Sequence, residues 1–184
     1  MNKSDVLICV QKELEDCESL QSKLVNLCKM NRIKIATAES CTGGLVSQKI
    51  TEIPGASEIF DFGVCSYANE IKHRLLGVEN RILNTFGAVS PQTAIQMAHG
   101  ARKFSGSYIA VSTTGIAGPG GGTDKKPVGL VYVGISLKNR EYAVKLTLGS
   151  SGKSDRKQIC TLASDAALYF VIKELKQLSD EENT

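Results

Sequence analysis

The stretch Lys34-Ile35-Ala36-Thr37-Ala38 constrains this chain most. It is an apolar-rich run of strand length, followed at once by Glu39-Ser40-Cys41 and then by helical patterning from Thr42 to Ile50. Strand, tight turn and helix in that order form the unit from which layered α/β folds are built. The rest of the chain extends the pattern. Residues 5 to 30 place Val6, Val10, Leu14, Cys17, Leu20, Leu24, Leu27 and Cys28 at spacings of three and four, which predicts one long amphipathic helix. Phe60 to Tyr67 reads as a second strand, and Asn69 as the N-cap of a helix through Leu76 that Gly77 ends. Ser90-Pro91 announces a further helix by an N-cap and an N1 proline, with Ala94, Met97, Ala98, Ala101 and Phe104 as its buried stripe. Tyr108 to Thr113 is a third strand; Gly129 to Leu137 and Glu141 to Leu148 form an antiparallel pair around Lys138-Asn139-Arg140. Ile159, Leu162, Ala163, Ala166, Tyr169, Phe170 and Lys173 mark the last helix, and the tail Asp180-Glu181-Glu182 is expected to fray. The expected fold is a three-layer α/β/α sandwich around a mixed sheet, in one domain over residues 1–184.

Composition removes several function classes. The balance of 22 Lys+Arg against 19 Asp+Glu leaves +3, with no run of five basic residues, so the electrostatic footprint for nucleic acid is small. Glycines and Pro119 break the longest uncharged stretch, Phe104 to Thr123, which excludes it as a membrane span. The opening Met1-Asn2-Lys3-Ser4-Asp5 does not resemble a targeting segment, so the expected location is cytoplasmic. The six cysteines contain no C-x-x-C pair, and His73 and His99 are not spaced near them as metal ligands would be; structural thiols are expected, with no metal and no disulfide.

Four stretches offer chemistry. Ser40 falls on the turn between strand and helix, where a hydroxyl serves as a nucleophile or caps the helix, and backbone N–H groups around Thr42 to Gly44 are candidate oxyanion donors. Tyr67 and Lys72 put a phenol and an amine five residues apart across a predicted strand-to-helix junction, so both can point toward Ser40. The alternative is a half-buried tyrosine beside a solvated lysine. Seven of the 17 glycines lie between 115 and 134, in a loop with Thr113 and Thr114 before it. That loop matches neither phosphate-loop nor dinucleotide fingerprints; it lets a small ligand approach the backbone, or is a surface turn. Gly149 to Lys157 brings small residues and cations to the start of the last helix, a phosphate site or a polar capping segment with Ser154 as N-cap.

Together, Thr37-Ala38-Glu39-Ser40-Cys41-Thr42-Gly43-Gly44, Tyr67-Ala68-Asn69-Glu70-Ile71-Lys72, Gly87-Ala88-Val89-Ser90, Thr114-Gly115-Ile116-Ala117-Gly118-Pro119-Gly120-Gly121 and Lys126-Pro127-Val128-Gly129 resemble the CinA C-terminal domain family over roughly residues 5–176. Stand-alone members of that family are nicotinamide mononucleotide deamidases. The resemblance implies hydrolysis of the carboxamide of nicotinamide mononucleotide to nicotinate mononucleotide and ammonia, with Ser40 as nucleophile and Tyr67 and Lys72 as its activating partners. It implies substrate contacts from Thr42, Gly43, Gly44, Thr113, Thr114, Gly115, Gly118 and Arg156, no cofactor and no metal, a small-molecule nucleotide as the partner, and a homodimer or higher homo-oligomer. One departure stands out: members commonly carry a second arginine four residues after the one at Arg156, and this chain has Cys160 there. That substitution gives some support to the alternative of a nucleotide-binding regulatory module without hydrolysis, against which the intact Ser40, Tyr67 and Lys72 set stands.

Overall fold

The computed structural model describes residues 1–14, 19–149 and 155–182. The chain opens with two helices, α1 (Lys3–Glu13) and α2 (Leu20–Met30), where the periodicity predicts one. Local capping divides them. Asn2 and Asp5 form a reciprocal capping box at the start of α1, Leu14 closes it, and the Ser19 hydroxyl accepts the Ser22 N–H to begin α2. The apolar spacing runs through this break because both helices lay their stripes on one partner, the last helix α7 (Arg156–Glu182). Cys17, part of the expected stripe, lies outside the described residues, as do Lys153 and the expected cap Ser154.

Strands β1 (Ile35–Glu39), β2 (Phe60–Cys65), β3 (Ile109–Gly115), β4 (Leu130–Leu137) and β5 (Glu141–Thr147) form one sheet in the order β2-β1-β3-β4-β5. β1 runs parallel to β2 and β3, while β4 is antiparallel to both β3 and β5, giving the expected mixed sheet. Helices α1, α2, α3 (Leu45–Thr51) and α7 cover one face; α4 (Asn69–Leu76), α5 (Asn80–Phe86) and α6 (Pro91–Ser105) cover the other. Alternation along each strand sorts the side chains. Ile35, Ile109 and Val111 join the large core under α7, whereas Ala36, Ala38 and Ala110 join Met97, Ala101 and Leu76 on the other face.

Small residues on that second face admit α6 close to the strands. A Cβ at Gly134 of β4 would stand 2.3 Å from the Ala94 carbonyl oxygen, and the Ser112 hydroxyl donates to that same oxygen at 2.6 Å. Ser90 caps α6 with Pro91 at its first position, as expected. Phe104 instead is exposed, because α6 has by then reached the edge strand and its ring lies against Phe62. Asn69 begins α4 as its first helical residue while Ala68 takes the cap position, and Gly77 ends it in the left-handed region. Lys173 faces solvent; α7 is packed between sheet and helices, so its buried surface is broader than a single stripe. The backbone of α7 stays helical to Glu182, through the segment expected to fray.

Candidate active site

Alternation at the end of β1 sends neighbouring side chains to opposite sides. Thr37 and Glu39 reach Ser47 in the α3 layer, while Ala38 and Ser40 face the layer of α4 and α6. The Ser40 N–H donates to the Thr113 carbonyl at 2.9 Å, the last rung between β1 and β3. Gly43 and Gly44, at φ +64° and +102°, then turn the chain into α3 with backbone angles that L side chains rarely adopt.

The neighbouring strand delivers Lys72. β2 ends beside β1, and the Ser66 N–H donates to the Glu39 carbonyl at 2.8 Å. The chain bends through Tyr67 and Ala68 into α4, and Lys72 sits one turn inside it with its N–H on the Ala68 carbonyl. Helical side chains lean toward their own N-terminus, so Lys72 folds back over the strand ends. Its Nζ lies 2.6 Å from the Ser66 carbonyl oxygen, 3.1 Å from that of Tyr67 and 3.1 Å from Ser40 Oγ. Lys72 is fully buried, and all three partners are uncharged. Burial holds its pKa below the ordinary 10.5, partly opposed by the Cys41 and Cys65 thiols. A neutral amine has two N–H bonds and one lone pair. Two carbonyls take the N–H bonds, and the lone pair is left for the Ser40 O–H, the geometry that lets an amine accept a hydroxyl proton.

Tyr67 contributes differently from the arrangement that the sequence suggests. Its carbonyl touches Lys72, whereas its phenol, on a residue 64% exposed, meets Arg156 Nη2 at 3.2 Å. Arg156 Nη1 also donates to the Gly118 carbonyl at 2.9 Å, so one guanidinium joins the phenol to the glycine loop. Thr114 donates to the Ala88 carbonyl, and Gly115 ends β3 opposite Val131. Thr42 and Thr113 are buried and share a 2.6 Å hydroxyl contact behind the turn. Two of the expected oxyanion donors are already used: the Gly43 N–H donates to the Ser40 carbonyl and the Gly44 N–H to Glu39 Oε2. Among the described residues the Thr42 N–H has no such partner, so of the three expected donors it is the one not already used. Cys41 is buried and its thiol is pushed up to about 12 by burial; Cys160 donates its S–H to the Cys41 carbonyl at 3.1 Å.

The residue that sequence reasoning passed over is Glu39. It lies inside the quoted motif, is 1% exposed, and accepts from Thr42, Gly44, Val46 and Ser47. Its signal was a carboxylate closing an otherwise small and apolar strand just before two glycines. No group of three His, Cys, Asp or Glu side chains among the described residues is placed to hold a metal ion. No helix among them is long and apolar enough to cross a membrane.

Fold and site together define an α/β/α sandwich with a buried serine–lysine pair at the C-terminal ends of parallel strands. The chain belongs to the CinA C-terminal domain family, whose model matches residues 17–175. A CinA-like protein of Kosmotoga olearia is 48% identical over 161 residues, 88% of this chain and 38% of that protein. The chain spans little more than a third of the curated relatives it matches, 34% in another case. Among solved structures, the competence/damage inducible protein CihA from Agrobacterium tumefaciens is 41% identical with a TM-score of 0.80, covering 85% of this chain and 93% of that one. A CinA superfamily protein from Klebsiella pneumoniae has the same TM-score at 25% identity, covering 86% and 96%.

Proposed function

We propose that this chain forms one amidohydrolase domain that converts nicotinamide mononucleotide to nicotinate mononucleotide and ammonia through a serine nucleophile. The observation that carries this reading is the 3.1 Å contact between Ser40 Oγ and the buried Lys72 amine. Neutral Lys72 takes the Ser40 proton as Oγ bonds to the carboxamide carbon, and the Thr42 N–H faces the developing oxyanion. The Lys72 ammonium returns the proton to the departing nitrogen, so ammonia leaves and a Ser40 ester remains. Lys72 then accepts a proton from water, the resulting hydroxide attacks the ester, the Lys72 ammonium returns that proton to Ser40 as the acid leaves, and the acid gives its own proton to ammonia in solution to become the carboxylate. Arg156, poised between the Tyr67 phenol and Gly118, is the cation for the substrate phosphate.

Purified protein incubated with nicotinamide mononucleotide should release ammonia and nicotinate mononucleotide in equal amounts, and Ser40→Ala should stop it. No turnover, or full turnover by the variant, overturns the reading. A second reading, a nucleotide-binding module without hydrolysis, draws on Cys160, whose thiol lies against the Cys41 carbonyl at the position where the family resemblance implies a second arginine. Tight binding of nicotinamide mononucleotide without product would support it.

A further inference from the structure

We infer that Glu39 is a positioning residue for Ser40, an internal anion whose role is to hold the nucleophile's turn rigid from behind; this rests on the serine-hydrolase reading. Glu39 precedes Ser40 and points to the opposite face of the sheet, so its side chain cannot meet a substrate bound at the hydroxyl. It has no cationic partner among the described residues. Its oxygens instead collect five hydrogen bonds. Oε2 accepts from Thr42 Oγ1 at 2.6 Å and from the Gly44 and Val46 N–H groups at 3.0 Å; Oε1 accepts from the Ser47 N–H at 2.8 Å and Ser47 Oγ at 2.7 Å.

Those bonds dictate the neighbouring protons. The one hydroxyl proton of Thr42 goes to Glu39, so in the 2.6 Å contact between the two threonines Thr113 must be the donor. Ser47 likewise gives its proton to Glu39, so Thr37 donates to Ser47 across their 2.7 Å contact. Two directed chains, Thr113 to Thr42 to Glu39 and Thr37 to Ser47 to Glu39, tie β1, β3, the turn and α3 to one carboxylate. No side chain packs on the turn at its two glycines: Cβ atoms built on Gly43 and Gly44 would have nothing within 4 Å. The Glu39 carbonyl meanwhile receives the Ser66 N–H, and Ser66 carries Lys72 on its own carbonyl. One residue therefore holds the nucleophile with its side chain and the lysine's cradle with its main chain.

The test uses a probe that needs no knowledge of the substrate. Diisopropyl fluorophosphate forms an O–P bond at Ser40 as the P–F bond breaks, fluoride leaves and the serine proton passes to Lys72; intact-protein mass spectrometry follows the adduct. Glu39→Gln puts an amide NH₂ against a donor array. It should slow labelling by about 100-fold, the scale of an ångström-sized misplacement. With nicotinamide mononucleotide, kcat should fall in parallel while KM and the Lys72-dependent limb of the pH–rate profile stay put. Glu39→Asp, which restores the carboxylate, should recover most of the labelling rate. Ser47→Ala, which removes one donor, should show a smaller loss in a protein of unchanged melting temperature, and it decides the matter if Glu39→Gln does not fold. Wild-type labelling rates in folded Glu39→Gln, or in Ser47→Ala when the former is unfolded, overturn the inference. So does a loss that merely tracks the unfolded fraction. If wild-type protein labels at Ser40 but leaves nicotinamide mononucleotide intact, the substrate reading fails while the Glu39 result still stands by itself.

Discussion

Helix α7 joins two polar regions that handle buried charge in opposite ways. At its start, Arg156 borders the Ser40 turn; eighteen residues later, about 27 Å at 1.5 Å per residue, Glu174 lies buried at the other edge of the sheet. Glu174 is paired in the ordinary manner. The Arg140 guanidinium meets it, the Tyr142 hydroxyl donates to it at 2.6 Å, and Arg140 lies 5.3 Å from the Tyr142 ring centroid. Burial and the carboxylate together raise the Tyr142 pKa. At the Ser40 end a basic and an acidic side chain of comparable burial, Lys72 and Glu39, lie in one layered site without pairing, and uncharged groups satisfy each. Pairing fixes a charge in place, whereas a lysine held only by carbonyls and a hydroxyl can release its proton. A cleft of about 260 Å³ opens at the paired end, between Tyr108, Leu137, Arg140 and Glu174.

The two ends of α7 differ most in what a substitution at Ser40 does. Ser40→Ala should lower turnover of nicotinamide mononucleotide by about 10⁴-fold or more while leaving its binding measurable by calorimetry. Lys72→Met should cost about 10²- to 10⁴-fold, the range for a positioned base, and should remove the rising limb of the pH–rate profile. The sign follows from the active form: the reaction needs neutral Lys72, so the wild-type rate climbs with pH and levels off below the ordinary lysine value of 10.5. A limb that survives Lys72→Met would place the base elsewhere. Arg156→Ala should reduce kcat/KM on the mononucleotide by roughly 10- to 100-fold, from about 1.5–3 kcal/mol for a charge-assisted bond, and leave the unphosphorylated riboside unaffected. Cys65→Asp gives Lys72 the kind of partner that Arg140 already has, and should move the limb up by about one pH unit. Glu174→Gln should leave kcat untouched and lower stability by about 1–2 kcal/mol, discounted because Arg140 is half exposed, a drop of a few degrees in a melting scan.

The paired end was the easier to read from sequence, and the reasons are local. The β4–β5 hairpin announces itself by β-rich alternation about a short polar turn; elsewhere in the chain Ser90-Pro91 and Gly77 mark helix ends with residues whose backbone preferences are strong. Helix α5 escaped because Asn80–Phe86 is short and lies between two glycines without a distinctive cap. The break between α1 and α2 escaped because packing on a shared partner preserves the periodicity across it. At the Ser40 end, sequence left Lys72 either aimed at Ser40 from the first turn of α4 or solvated, and its amine lies against Ser40 Oγ. It could not tell the Tyr67 carbonyl from the Tyr67 phenol, because backbone and side chain leave one residue in different directions. Nor could it reveal Glu39, whose importance comes from amides and hydroxyls three to eight positions ahead that become neighbours only when the turn closes.

The Ser40 N–H forms the last rung between β1 and β3, and this has an entropic consequence. With its amide fixed to Thr113, the serine keeps one torsion, χ1, free for the proposed attack, and the 3.1 Å contact with Lys72 confines that one. The orientational freedom that a dissolved alcohol and amine would surrender at every encounter is given up here once, when the chain folds.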